Sequence, residues 1–229
     1  FLINIDVPII KIPSVEIKNL SFLEKCSQSD TPIILSTGTA TQKDVDQALD
    51  ILKSNNDSVI LLQCTSAYPS KLDEIDLNVI NTFIEKYSCP IGFSGHEPGI
   101  NVPVGAVAKG AKLIEKHVTL NKKMNGTDHL ASIDMSELTQ MVNGIREIEK
   151  ALGGYKKNNY KSEEILVSIL GKSLVAKKNL KIGHIISEDD LTTKGPPTGI
   201  GADKFYEIIG KKIINDKEAD DTIFPGDID

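Results

Sequence analysis

Five short apolar runs, rich in β-branched residues and recurring at intervals of 22–31 residues, constrain the fold more than any other feature of the sequence. They are Pro8–Ile12, Pro32–Ser36, Val59–Cys64, Pro90–Ser94 and Lys112–His117. Runs of this length without clean alternation suit strands covered on both faces. Segments with helical spacing lie between and after them. Thr41–Ser54 opens on a capping threonine and aligns Val45, Leu49 and Leu52; Asp76–Tyr87 aligns Leu77, Ile80 and Ile84. Ser136–Leu152 aligns Leu138, Met141, Ile145 and Ile148 on one stripe. Strand–helix alternation predicts an α/β fold around a parallel sheet, with functional groups at the carboxyl ends of the strands.

The pattern changes after residue 152. Residues 153–166 begin with the polar stretch Gly153–Glu164 and read as a linker; residues 167–229 carry short apolar runs between turns, as a small second domain would. The first domain is then residues 1–152. With 40% hydrophobic residues, and 26 basic against 32 acidic side chains for a net charge of −6, the chain has the composition of an ordinary folded protein. The acidic balance argues against general nucleic-acid binding. No apolar run approaches the roughly 20 residues that cross a bilayer, so no membrane partner is expected. Cys26, Cys64 and Cys89 are an odd set with no CxxC pair, which fits a reducing compartment. The opening Phe1–Asp6 lacks the basic region of a secretory signal, and the expected location is the cytoplasm.

Candidate chemistry gathers at the predicted strand ends. His96 and His117 end neighbouring strands, which lie about 5 Å apart in a parallel sheet, so the two imidazoles could share a divalent metal. The competing reading is two unrelated loop histidines. Asp128, in Asn125–His129, could bond a substrate hydroxyl or cap its own turn. Glu115 shares a strand face with His117 and could support the site or pair with a lysine. Lys11, Ser14, Ser36, Thr37, Thr65, Ser66 and Ser94 could cradle a phosphate or carboxylate, although each hydroxyl taken alone suits a helix cap. There is no G-x-S-x-G elbow, P-loop or G-x-G-x-x-G, which argues against a serine nucleophile and a nucleotide cofactor.

Taken together, these segments resemble the sialic acid synthase family. The matching stretches are Ile10–Ser14, Ile34–Gly38, Leu62–Pro69 (LQCTSAYP), Ile91–Gly99 (IGFSGHEPG), Gly110–Leu120 (GAKLIEKHVTL) and Gly126–Ser132, then Leu170–Ala176 (LGKSLVA), Lys181–Gly183 and Ile209–Lys212. LQCTSAYP and LGKS look more like the animal-type members. The resemblance implies the C-terminal five units of a TIM (β/α)8 barrel, followed by a small antifreeze-like (SAF) domain. It implies condensation of phosphoenolpyruvate with N-acetylmannosamine or its 6-phosphate, giving sialic acid or its 9-phosphate. His96 and His117 map to the metal ligands, with Mn or Mg the expected ion. Lys11, Ser14, Ser36 and Ser94 map to phosphoenolpyruvate contacts, and Glu16, Ser66, Tyr68 and Asp128 to sugar contacts. His96, His117, Asp128 and Glu16 are the implied catalytic set, and a homodimer with exchanged SAF domains is the implied assembly.

Three departures accompany the resemblance. A TIM barrel takes about 250 residues, so the sequence reads as if about 100 residues of its amino-terminal side were absent. Pro13 and Val15 stand where the animal-type enzymes carry glycines. Gly195, beside Lys194, stands where bacterial members place an arginine that reaches a partner's active site. Two other readings stay open: a truncated, non-catalytic relative that binds a sugar or a partner, and a synthase of a related nine-carbon sugar.

Overall fold

The computed structural model describes residues 2 and 5–229. The chain divides into two units, Phe1–Gly153 and Gly154–Asp229. In the first, β1 (Ile10–Ile12), β2 (Ile33–Ser36), β3 (Val59–Cys64), β4 (Ile91–Gly95) and β5 (Ile114–Lys116) form one sheet in chain order, every pairing parallel. All five strands fall inside the runs expected from the sequence or within a residue of them. Helices α1 (Leu20–Ser27), α2 (Gln42–Lys53), α3 (Asn78–Lys86) and α4 (Asn101–Ala108) are the crossovers, and α5 (Met135–Leu152) follows β5.

Alternation along the strands separates two faces. Ile10, Ile12, Ile33, Leu35, Val59, Leu61, Ile91 and Phe93 pack with Leu23, Leu49, Leu52, Ile80 and Phe83 of the helices into one core. The intervening set, which includes Lys11, Ser36, Cys64, Ser94 and Glu115, faces the other way. The sheet is strongly curved. Four strand spacings of about 4.8 Å would put the edges of a flat sheet about 19 Å apart. Yet Lys11 Nζ on edge strand β1 lies 3.3 Å from Glu115 Oε1 on edge strand β5. The strands therefore wrap around a concave face, as in a segment of a barrel.

Local chemistry explains the starts of two of the three helices that were anticipated, α2 and α5; α3 has no side-chain cap bond. Thr41 caps α2: its hydroxyl accepts from the Asp44 N–H while the Asp44 carboxylate accepts from the Thr41 N–H. Asp134 and Glu137 make the same reciprocal pair at the start of α5.

In the second unit, α6 (Lys161–Leu170) precedes the antiparallel pair β6 (Ser173–Ala176) and β7 (Leu191–Lys194). Leu174, Ala176, Leu180, Ile186, Leu191, Ile208, Ile213 and Ile223 form a separate core. The stretch 153–166, expected to be a linker, contains the first turns of α6. The Tyr160 N–H donates to Glu163 Oε2 at 2.9 Å, a local bond that starts the helix despite the polar composition. Among the described residues no helix is long and apolar enough to cross a membrane.

A candidate active site on the concave face

Cys64, Ser94 and Glu115 stand side by side in register on β3, β4 and β5. Ser94 Oγ donates to Glu115 Oε1 at 2.7 Å, and Lys11 Nζ approaches the same oxygen. One carboxylate thus joins two of the expected phosphoenolpyruvate contacts across the face. Ser14 and Ser66, from the turns after β1 and β3, bond hydroxyl to hydroxyl at 2.7 Å. Gly38 permits this approach: a β-carbon there would lie 2.1 Å from Ser66 Oγ and 3.0 Å from Ser14 Oγ. Ser36 Oγ at the end of β2 is buried without a hydrogen-bond partner, a hydroxyl with its bonding capacity unspent.

The imidazoles of His96 and His117 come together with ring centroids 5.3 Å apart. Tyr68 packs on both, at 4.1 Å from His96 and 5.6 Å from His117. Burial, then the neighbouring Cys64, Asp128 and Glu115, raises the Tyr68 pKa above the usual phenol value, so its hydroxyl is a donor at neutral pH. Asp128 Oδ2 lies 3.7 Å from His117 Nδ1, beyond a direct hydrogen bond. Glu16 sits apart from this group: its carboxylate accepts from Asn19 Nδ2 at 2.8 Å.

His96 is set up as a ligand. Its Nδ1 lies 2.8 Å from the Thr65 carbonyl, which can only accept, so Nδ1 carries the proton and Nε2 keeps its lone pair. Among the described residues no three His, Cys, Asp or Glu side chains gather as a complete metal site. Two imidazoles with remaining positions open to substrate oxygens and water are the arrangement of a catalytic rather than a structural metal. The residues therefore fit a divalent ion.

The backbone accommodates the two unexpected residues on the first strand-end turn. Pro13 has φ −71°, the value its ring imposes, and its carbonyl accepts from the Glu16 N–H. Val15 is not among the residues with positive φ and projects into solvent. In the second unit Lys194 is engaged by Asp220, 2.6 Å away. Glu115 was legible as a site neighbour from its place two residues before His117. The bond from His96 to Thr65 had no sequence signal, since a backbone carbonyl carries none.

Paired histidines, a lysine and several hydroxyls thus meet at the carboxyl end of a parallel α/β sheet, and comparison with known proteins gives the family. The NeuB family profile matches residues 1–157, and the SAF domain profile matches residues 171–229. The chain belongs to the NeuB family and carries a SAF domain at its C-terminal side. It is 41% identical over 223 residues to the N,N'-diacetyllegionaminic acid synthase of Campylobacter jejuni, covering 96% of this chain and 67% of that protein. It is 39% identical over 225 residues to the human N-acetylneuraminate-9-phosphate synthase, covering 97% and 63%. The crystal structure of N-acetylneuraminic acid synthetase from Leptospira borgpetersenii, in complex with citrate, superposes with a TM-score of 0.68 at 38% identity over 72% of this chain and 58% of that one. The chain spans about two thirds of the length of the curated relatives it matches.

Proposed function

We propose that this chain carries the metal- and phosphoenolpyruvate-binding part of a synthase that joins phosphoenolpyruvate to N-acetylmannosamine or its 6-phosphate. The products are sialic acid or its 9-phosphate, and inorganic phosphate. The observation that carries the reading is the concave face itself, where Lys11 and Ser94 converge on one carboxylate while two imidazoles meet beside them.

In the overall reaction, carbon 3 of phosphoenolpyruvate bonds to the sugar's aldehyde carbon. Water adds at carbon 2, and the carbon 2 phosphate ester is released as phosphate. Lys11 supplies a positive charge for the substrate's phosphate or carboxylate, and Ser14, Ser36 and Ser94 supply hydroxyl donors. Glu115 holds Lys11 and Ser94 in place until that anion arrives. The Tyr68 hydroxyl, Ser66 and Asp128 would bond the sugar's hydroxyls; Glu16, bonded to Asn19, would reach the sugar only by leaving that bond. A divalent ion bound by His96 and His117, Mn or Mg, would supply Lewis-acid activation of the aldehyde.

The near-equal identities to a legionaminic and a neuraminic synthase keep a related nine-carbon sugar as the second reading, with the same chemistry and a different sugar pocket. Exposed Ile165, Leu166, Val167, Ile169 and Leu170 on α6 support a homodimer, since contiguous apolar surface commonly marks an interface. The proposed location is the cytoplasm.

The test is an assay of phosphate release from phosphoenolpyruvate with Mn2+ and N-acetylmannosamine, with and without its 6-phosphate, or the corresponding diacetylated sugar. Turnover abolished by EDTA supports the reading, and the preferred sugar names the substrate. No phosphate release with any sugar rejects it in favour of a non-catalytic binding protein.

A further inference from the structure

The last rung between β4 and β5 pairs Gly95 with Lys116. His96 and His117 are therefore each the first residue beyond this ladder; their carbonyls accept from the Ser70 N–H at 3.1 Å and the Ile133 N–H at 2.9 Å, so neighbouring turns hold each backbone while the β4–β5 pairing ends before them. Lys116 and Glu97 are their chain neighbours, and both side chains are only 1% exposed. Lys116 Nζ reaches Glu97 twice, at carboxylate Oε1, 2.9 Å away, and at the backbone carbonyl. The chain thus closes a ring, His96–Glu97–Lys116–His117, in which the Lys116 side chain links β5 directly to the turn after β4.

The pair is costly in itself, because burying two opposite charges is commonly no more stable than an apolar pair of the same size. Glu97 Oε2 is buried without a partner, so the carboxylate is not fully compensated. Space is also made for it: a β-carbon at Gly95 would lie 2.7 Å from Glu97 Oε2 and 2.9 Å from Oε1. On β5 the neighbouring Glu115 faces the concave site and Lys116 the opposite side, so the pair stands behind the imidazoles and touches no substrate.

We propose that Lys116 and Glu97 are positioning residues that hold the imidazoles of His96 and His117 at metal-sharing distance. The bond from Lys116 to the Glu97 carbonyl is the essential tie. The proposal rests on the metal reading above, and its test separates the two.

Mn2+ binding to the chain is measured by electron paramagnetic resonance without phosphoenolpyruvate or sugar, for the unaltered protein, Glu97→Gln, and the double variant Glu97→Gln/Lys116→Met. Folding is followed by circular dichroism. Glu97→Gln keeps an acceptor for Lys116 and leaves the carbonyl bond intact, so Mn2+ affinity is expected within about threefold of the unaltered protein. The double variant removes both charges without stranding either, and is expected to fold. Its Mn2+ affinity is expected to fall about 10- to 100-fold, the range seen when groups supporting metal ligands are lost. A double variant that folds and binds Mn2+ as tightly as the unaltered protein overturns the positioning role and leaves the metal reading standing. An unaltered protein that binds no Mn2+ overturns both. If the double variant fails to fold, Glu97→Gln/Lys116→Gln takes its place, with the same expected loss and the same overturning result.

Discussion

At the scale of single residues, the site depends on close approaches that particular side chains allow or forbid. Gly38 is such a position, because the Ser14–Ser66 bond occupies the space a β-carbon would need. Gly38→Ala is expected to destabilise the first unit by about 1–3 kcal/mol, the usual consequence of overpacking, and to raise the KM for phosphoenolpyruvate. Unchanged melting and kinetics would mean that the two turns yield without strain. Lys11, paired with Glu115, is the cation of the proposed anion seat. Lys11→Met is expected to lower kcat/KM for phosphoenolpyruvate about 10- to 100-fold, as loss of a charge-assisted bond of about 1.5–3 kcal/mol requires. A change under twofold in steady-state kinetics would remove Lys11 from the anion seat. Residue types at strand ends made Lys11, Ser94 and the two histidines legible in the sequence. Their place at one end of one sheet was legible too, but the closure of Lys11 on Glu115 was not, because it depends on curvature that brings β1 to β5, and curvature leaves no mark on a period-two pattern. Lys116 and Glu97 read as ordinary charged residues for the same reason: burial is a property of the assembled layers.

At the scale of elements, the helices found from sequence are those with an apolar stripe; α3 was found on its stripe alone, since it has no side-chain cap bond, and α2 and α5 have a cap as well. The boundaries of α2 and α5 fall within a residue of expectation, and α3 starts two residues later than expected. α4 was missed because its sequence, NVPVGAVA, is apolar almost all round; packed between β4 and α5 it shows no amphipathic period. α1 is short and has no side-chain cap bond. α6 was read partly as linker because its apolar residues start only at Ile165 and stay exposed. The cap of α2 yields a prediction. Backbone and side-chain bonds from Thr41, with Lys18 beside them, lower the Asp44 pKa to about 2 from the ordinary 3.8. A lowered folded pKa gives stability that is present at neutral pH and fades as pH falls from about 4 to about 2. Thr41→Ala is expected to cost about 1 kcal/mol at pH 7 and to move the Asp44 midpoint toward its ordinary value. An Asp44 midpoint by NMR that is unchanged in the variant would show that Lys18, 3.2 Å away, sets it instead.

At the scale of the whole molecule, the chain contains two cores whose stabilities answer to different groups. Asp190 organises the second. Its Oδ2 accepts from His184 Nε2 at 2.8 Å and from the Ser187 N–H and hydroxyl, and Lys178 Nζ lies 2.7 Å from Oδ1. Burial opposes ionisation of Asp190, but the bonds from Lys178, His184 and Ser187 outweigh it and lower its pKa below the usual carboxylate range. Burial likewise opposes ionisation of Asp227, and Lys217, the Phe224 N–H and Asn215 reverse it. Both folded-state pKa values are depressed, so both contributions are complete at neutral pH and are lost on acidification below about pH 4, as each carboxylate takes up a proton. Among the described residues of the first unit Glu97 is buried as deeply, but its carboxylate is bonded by Lys116 alone. Asp190→Ala is therefore expected to destabilise the second unit by about 2 kcal/mol at pH 7, through the bonds lost at Ser187 and His184. It should also flatten that unit's acid dependence while leaving amide exchange in β1–β5 unchanged. Hydrogen exchange read by mass spectrometry, at pH 7 and near pH 4, follows both units in one experiment. Faster exchange confined to Ser173–Lys194 and the strands bridged to it is the expected result; equal acceleration in β1–β5 would show that the two cores unfold as one.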